Sequence, residues 1–319
     1  MANARIDTHQ HIIPPAYRRE LDNRGLTAGG WPTPQWSKTD ALALMDSSSI
    51  GTGILSVSSP GVHLGSDADA RNLAREVNSY TAELVKDRPD RFGHFASVPL
   101  PDIDGSLAEI AYAFDELAAD GVVLMSNAHG KYLGDADLEP VWSELDARRA
   151  VVFVHPTMPP ISMLNGMPSP LLDFPFDTTR TAVHMVANGV FRRHKNLRVI
   201  LAHAGGFLPF AAYRFTGAAQ FNSEITPAEI YEDLSRFHLD TALSSTPVSL
   251  PSLLAFANPA HITYGSDFPF APSSALFDGM LDSYPLTEQQ RYAVDRGNAL
   301  TLFPRLSLDP PTEVICHGR

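Results

Sequence analysis

Near the start of the chain, "ARIDTHQHIIPP" sets His9 and His11 two residues apart, after a short apolar start and before two prolines. On a β-strand, residues i and i+2 face the same side. Two imidazoles aimed at one spot are what chelation of a metal requires. Exposed or hydrogen-bonded histidines would explain the same pair, so the rest of the chain must decide. Polar residues recur where later apolar runs end: Asn127 after "GVVLM", His155 after "AVVFV", His203 after "LRVILA", Asp240 after "FHL" and Asp267 after "ITYGS". Taken alone, His155 reads as a satisfied core histidine. Asp267 needs a partner for its charge if buried, and reads as a helix N-cap or a metal ligand. His203 precedes Gly205 and Gly206, where the backbone can turn tightly and approach a ligand. Taken together, imidazole and carboxylate donors suit Zn2+ and its neighbours, with a coordination position left for water or substrate.

The elements that must carry these residues alternate through the chain. Strands are predicted within 4–11, 52–59, 91–100, 121–127, 150–156, 197–206, 237–243 and 261–269. Several are apolar on both faces, as buried parallel strands are. Helical patterns are predicted over 38–49, 67–88, 104–119, 137–149, 171–195, 207–221, 246–257 and 287–303. Within the fifth of these, "DTTR" suggests a helix start with Asp177 or Thr178 as N-cap. Eight strands each followed by a helix predict a (β/α)8 TIM barrel, whose usual size is about 250 residues. We read residues 1–319 as a single such domain, since no linker, repeat or low-complexity segment interrupts them. The surplus lies in 17–36 and 156–176, Pro/Gly-rich stretches that read as long loops over the C-terminal face. In such a barrel the strand ends that carry the histidines and Asp267 form that face.

Composition excludes several classes. Apolar residues make up 44% of the chain and charged residues 19%, as in an ordinary globular protein with a sizeable core. A net charge of −12 leaves no basic face for nucleic acid. No apolar run reaches the ~18 residues that span a bilayer. The single cysteine, Cys316, sits in a Pro-rich tail and reads as neither a nucleophile nor half of a disulfide. With no signal pattern at the start, the expected location is the cytoplasm.

The combination of segments resembles a known family. "IDTHQHIIPP", "LMDSSSIGTGILSVSSPG", "RFGHFASVPLPD", "GKYLGDADLEPVWSELDARRAVVFVHP", "NLRVILAHAGGFLPF", "HLDTALS", "YGSDFPFAP" and "GNALTLF" resemble the amidohydrolase superfamily. More narrowly, they resemble the branch of aminocarboxymuconate-semialdehyde decarboxylase and the salicylate-type non-oxidative decarboxylases. The resemblance implies one divalent metal held by His9, His11, His155 and Asp267, with zinc first and manganese second. It implies that His203 lies beside the metal. The carboxylated lysine of two-metal relatives has no counterpart, since the fourth strand region holds no lysine before Lys131. Arg214 matches an arginine that reaches the neighbouring subunit's site, which implies a homodimer. A second family arginine is replaced by Ala41, which turns the expectation from a dicarboxylate to a monocarboxylated aromatic acid.

The implied reaction is decarboxylation of a hydroxybenzoate-like acid, with a proton delivered to the ring carbon. Asp267 is the first candidate for the general acid and His203 the second. The loop aromatics Trp31, Trp36, Phe174 and Phe176 are candidates to stack on the ring, and Arg214 to bind the substrate. The rival reading is a hydrolase of a lactone, ester or amide, with His203 as general base at the same metal. A hydratase of a small dicarboxylate is a lesser alternative, and five ligand-type residues argue against a barrel that only binds.

Overall fold

The computed structural model describes residues 4–221, 224–271 and 274–307. Eight strands form one sheet: β1 (Arg5–His11), β2 (Ile50–Ser56), β3 (Phe92–Ser97), β4 (Gly121–Met125), β5 (Val151–His155), β6 (Arg198–Leu201), β7 (His238–Asp240) and β8 (Ile262–Thr263). They pair in chain order, and every neighbouring pair is parallel. Parallel bridges from Asp7 to Tyr264 and from Gln10 to Phe268 bring the last strand back to the first. The sheet is therefore a barrel, and the predicted (β/α)8 architecture is observed.

Helices α1 (Pro15–Arg24), α2 (Lys38–Ser47), α3 (Asp67–Asp87), α4 (Ile103–Asp115), α5 (Glu139–Ala147) and α6 (Asp173–Ala187) surround the first half. The second half carries α7 (Val190–Arg193), α8 (Leu208–Phe215), α9 (Pro227–Leu234), α10 (Leu250–Phe256), α11 (Ser274–Ser283), α12 (Glu288–Tyr292) and α13 (Asn298–Leu302). Their starts follow from short polar side chains. Ser37, Ser66 and Asp102 accept the amide hydrogens of Asp40, Asp69 and Gly105 at the heads of α2, α3 and α4.

Two apolar layers hold the barrel. Inside it, Ile6, Ile54, Phe95, Val123, Phe153 and Ile200 fill the lower half, and Leu302 and Phe303 seal that end. A larger shell lies between the strands and the helices. The inner layer is a plug, so polar side chains above it are floored by hydrocarbon. His9 rests on that floor, its ring centroid 4.9 Å from that of Phe153.

Several local expectations need correction. Residues 17–24 belong to α1, so the first long loop is shorter than predicted. The helix predicted over 171–195 starts at Asp173 and breaks at Gly189, whose φ of +68° is left-handed. Asp177 and Thr178 are therefore inside α6 and are not its N-cap; the Asp177 carboxylate is engaged by side chains outside the helix, as described below. Strand eight keeps only Ile262–Thr263, because the chain beyond it turns to present Asp267. Helices α1, α9 and α11 were not predicted. Cys316 lies outside the described residues.

The two long loops meet over the C-terminal face. Ser169 donates its amide hydrogen to the Gly29 carbonyl at 2.8 Å. Gly29 has a φ of +61°, and a Cβ there would stand 3.0 Å from the Phe174 ring and from Ser169. Only glycine allows that approach.

Candidate metal centre

The strand-end residues converge. One donor atom from each of His9, His11, His155 and Asp267 lies within 4.8 Å of all the others, and all four residues are buried. His9 Nε2 is 3.1 Å from His11 Nε2. Asp267 Oδ1 stands 3.3 Å from the first and 3.2 Å from the second. Donors about 2.1 Å from a common ion are separated by about 3.0–3.4 Å, so these three fit one coordination sphere.

The outer nitrogens fix which atoms face inward. His9 Nδ1 lies 2.8 Å from Asp240 Oδ2, and His155 Nδ1 lies 2.8 Å from the Pro156 carbonyl. His11 Nδ1 lies 3.2 Å from the Ser56 carbonyl and 3.1 Å from its hydroxyl. A carboxylate and two carbonyls only accept, so each Nδ1 carries a hydrogen and each Nε2 is the atom left to face inward. Two imidazole Nε2 atoms and a carboxylate oxygen then face one point, where a divalent cation could take the place of the proton on His9.

The electrostatics agree. Burial presses the His9 imidazolium down, but Asp240 and Asp267 outweigh it and raise its pKa to about 10. Burial and neighbouring imidazoles hold His11 below its ordinary value and His155 well below it. Burial would raise the Asp267 carboxyl, but the adjoining imidazoles of His11, His203 and His9 keep it well below the usual carboxylate range. The cluster draws positive charge toward His9 and Asp267 while leaving the other two imidazoles neutral.

The backbone is bent to make this arrangement. Asp267, His203 and Ala204 have φ of +58°, +54° and +55°, a region that costs non-glycine residues of order 1–3 kcal/mol each. Asp7 holds one side. It accepts the amide hydrogens of His9 and Ser266 at 3.0 Å and the Ser266 hydroxyl at 2.6 Å. Burial lifts the Asp7 carboxyl to about 6 against those bonds. Asp240 holds the other side, accepting the His203 amide at 2.9 Å and the Ala242 amide at 3.0 Å. His203 Nε2 lies 3.4 Å from Asp267 Oδ2, and its Nδ1 is buried with no partner among the described residues.

A cavity of about 590 Å3 opens onto His155, His203 and Asp267. Its walls are mainly apolar and include Trp31, Phe174, Leu171, Phe207, Phe210 and Phe270. Neither lysine nor arginine lines it among the described residues. This is the geometry of an amidohydrolase barrel, and the family comparison agrees over residues 6–305. The chain belongs to the amidohydrolase family.

Among its relatives is 6-methylsalicylic acid decarboxylase of Penicillium expansum. The two are 40% identical over 315 residues, covering 95% of this chain and 97% of the relative. The 2-amino-3-carboxymuconate-6-semialdehyde decarboxylase of Dictyostelium discoideum is 30% identical over 257 residues, covering 76% and 68%. The crystal structure of an amidohydrolase II superposes with a TM-score of 0.90 at 34% identity, covering 94% of this chain and 100% of that one. The predicted branch of the superfamily and the expectation of a carboxy-lyase agree with these relatives.

The other predicted contacts divide. Phe174 lines the cavity beside Trp31, its ring 6.2 Å from that of His155. Phe176 does not line it. Two residues along a helix differ by about 200°, so Phe176 faces away, 38% exposed, with the Arg180 guanidinium 5.8 Å from its ring. Trp36 is half-buried against the outer apolar shell. Arg214 is exposed on α8 and does not line this cavity. Asp7, Ser56 and Ser266 carried no signal in the sequence, because their contacts depend on the pairing of distant segments. Asp240 did show as a polar strand end, which was the clue to its place.

Proposed function

We propose that this amidohydrolase is a divalent-metal-dependent, non-oxidative decarboxylase of a hydroxybenzoate-like aromatic acid. The carrying observation is the cavity: mainly apolar and aromatic, without lysine or arginine among the described residues, and reaching the four-residue cluster at His155 and Asp267. A 40% identical relative named for decarboxylation of 6-methylsalicylic acid supports the substrate class.

His9, His11, His155 and Asp267 would hold the ion, with zinc first and manganese second for this nitrogen and oxygen donor set. When bound, the ion supplies Lewis acidity and an anchor for the substrate's phenolate and carboxylate oxygens. The apolar walls position the ring and keep water from competing. No lysine or arginine among the described residues lines the cavity to pair it, so the substrate carboxylate would depend on the ligand cluster, His203 and the rim serines. Asp267 Oδ2 and His203 Nε2 share the proton that the reaction consumes. Asp267 delivers it to the ring carbon as the C–C bond to the carboxylate breaks and CO2 leaves. His203 returns a proton from solvent to Asp267, which closes the cycle. The reading also pairs two chains in the cytoplasm through the face of α8, where Phe210 is 87% exposed at the cavity rim and Arg214 is exposed beside it.

The test is metal analysis of the purified protein, then CO2 release from salicylate, methylsalicylates and resorcylates. We expect one divalent ion per chain and CO2 without water uptake. Bound metal with no CO2 from the panel would overturn the reading in favour of lactone, ester or amide hydrolysis. Solution mass decides the dimer.

A further inference from the structure

Behind His155 lies a buried polar chain that the proposed chemistry does not use. Ser126 follows β4, and its amide donates to the His155 carbonyl at 2.8 Å. Its hydroxyl oxygen accepts the Thr157 amide hydrogen at 3.0 Å. One residue thus clamps both sides of Pro156, whose carbonyl orients the His155 ring through Nδ1 at 2.8 Å. The Ser126 hydroxyl can serve Thr157 only if its own hydrogen goes elsewhere, and it goes to Asp177 Oδ2 in a very short contact.

Asp177 gathers more than that. Its Oδ2 also accepts Asn127 Nδ2 at 2.8 Å, and its Oδ1 accepts the Tyr132 hydroxyl at 2.6 Å. Asn127 in turn donates to the Met158 carbonyl at 3.0 Å and accepts the Gly130 amide at 2.9 Å. Ser126 and Asp177 are fully buried, and Asp177 sits on the same helix as the cavity-lining Phe174. A buried carboxylate that satisfies three donors from two other segments is expensive to desolvate unless its geometry is used.

We infer that Ser126 and Asp177 are positioning residues for the metal ligand His155, locking its ring and the start of the 156–172 loop to helix α6. The inference rests on the proposed metal-binding reading. It makes the ligand's orientation depend on the Oδ2 branch, through Ser126, and not on the Oδ1 branch, through Tyr132.

The experiment titrates Zn2+ and Mn2+ into metal-free protein for wild type, Ser126→Ala, Asp177→Asn and Tyr132→Phe. Thermal melting is followed in parallel. Groups that orient a metal-bound imidazole change affinity or activity by about ten- to a hundredfold. We expect Ser126→Ala and Asp177→Asn to weaken metal binding by that factor while their far-ultraviolet circular dichroism stays that of the wild type. Tyr132→Phe, which removes a bond to the same carboxylate away from His155, leaves metal affinity within about twofold. A purely structural role predicts the opposite pattern, with all three melting points lowered and all affinities equal. That result overturns the inference. If one variant fails to fold, the other decides against Tyr132→Phe. A wild-type protein that binds neither ion overturns the site reading and this inference with it. A wild type that binds, with variants that bind equally, overturns the inference alone.

Discussion

The two ends of the barrel treat charge in opposite ways. At the N-terminal end, Arg5 reaches Asp295 at 3.1 Å and also pairs with Asp282, and Arg305 meets Asp120 at 2.5 and 2.7 Å. These two cations have their anions, and the phenylalanines of the inner layer close the space above them. At the C-terminal end, His9, His11 and Asp267 turn donor atoms toward one another, and the backbone accepts left-handed conformations at His203 and Asp267 to keep them there. The same strands thus run from a base of paired charges to a mouth whose donor cluster could hold a cation. The barrel's stability is invested at one end and its chemistry at the other.

The comparison predicts that substitutions at the two ends change different observables. The largest effect belongs to the mouth. In the proposed reaction Asp267→Asn removes a metal ligand and the group that carries the proton, so we expect kcat to fall roughly a thousandfold in the CO2 assay. The melting temperature should fall too, because the neutral amide no longer answers the imidazoles that hold this carboxylate well below its usual range, but the loss of turnover is the larger effect. A variant that retains substantial turnover would assign the acid to His203.

At the base the pattern inverts. Arg5 is 7% exposed at the side chain and faces three carboxylates, those of Asp278, Asp282 and Asp295. Arg5→Met leaves these without their cation, and breaking such a buried pairing costs about 3 kcal/mol. Urea denaturation should show that loss, while kcat per folded molecule stays within about twofold. A large drop in kcat would mean that the two ends are coupled.

Asp240→Asn probes the boundary between the two regimes. Its oxygens now accept from His9 Nδ1, His203 and Ala242. An amide NH2 turned to His9 would force the imidazole hydrogen onto Nε2, the atom that faces the metal position. Metal affinity should fall by about ten- to a hundredfold, with a smaller change in stability.

Much of this was legible in the sequence, for a physical reason. Parallel barrel strands are apolar on both faces, so a histidine or aspartate that ends one stands out; His9, His11, His155, His203 and Asp267 were all singled out that way, and the structure brings them together. What supports them was not legible. Ser56 reaches His11 because β1 and β2 pair with His11 opposite Ser56, and a register between distant segments leaves no local trace. Asp177 looked like a helix cap because a "DTTR" start is written in the same letters as a buried carboxylate awaiting partners from another loop. The aromatics show the limit of composition. Phe174 and Phe176 are alike in sequence, and only the helical phase of α6 sends one into the cavity and the other to the surface.

The smallest effect sharpens the comparison from the base. His94 lies on the face of β3 that carries Phe92 and Ala96, and both its ring nitrogens are buried without a partner among the described residues. Burial lowers its pKa from 6.5 to about 4, and the Arg305 charge adds to that against the pull of Asp120. The neutral ring is the folded form. Above pH 6.5 the group is neutral folded and unfolded, and it makes no difference to stability. Between 6.5 and about 4 the unfolded chain takes up a proton that the folded chain refuses, so stability falls with pH and levels off below about 4. His94→Leu removes two unsatisfied nitrogens as well as the titration. At pH 7 its melting temperature should equal or slightly exceed that of the wild type, and the decline between pH 6.5 and 4 should be shallower. Metal affinity at pH 7 should not change, since nothing at the mouth touches this ring. A decline of undiminished slope would place the acid sensitivity at the mouth, with its own histidines, and the base would then be as inert to pH as its paired charges suggest.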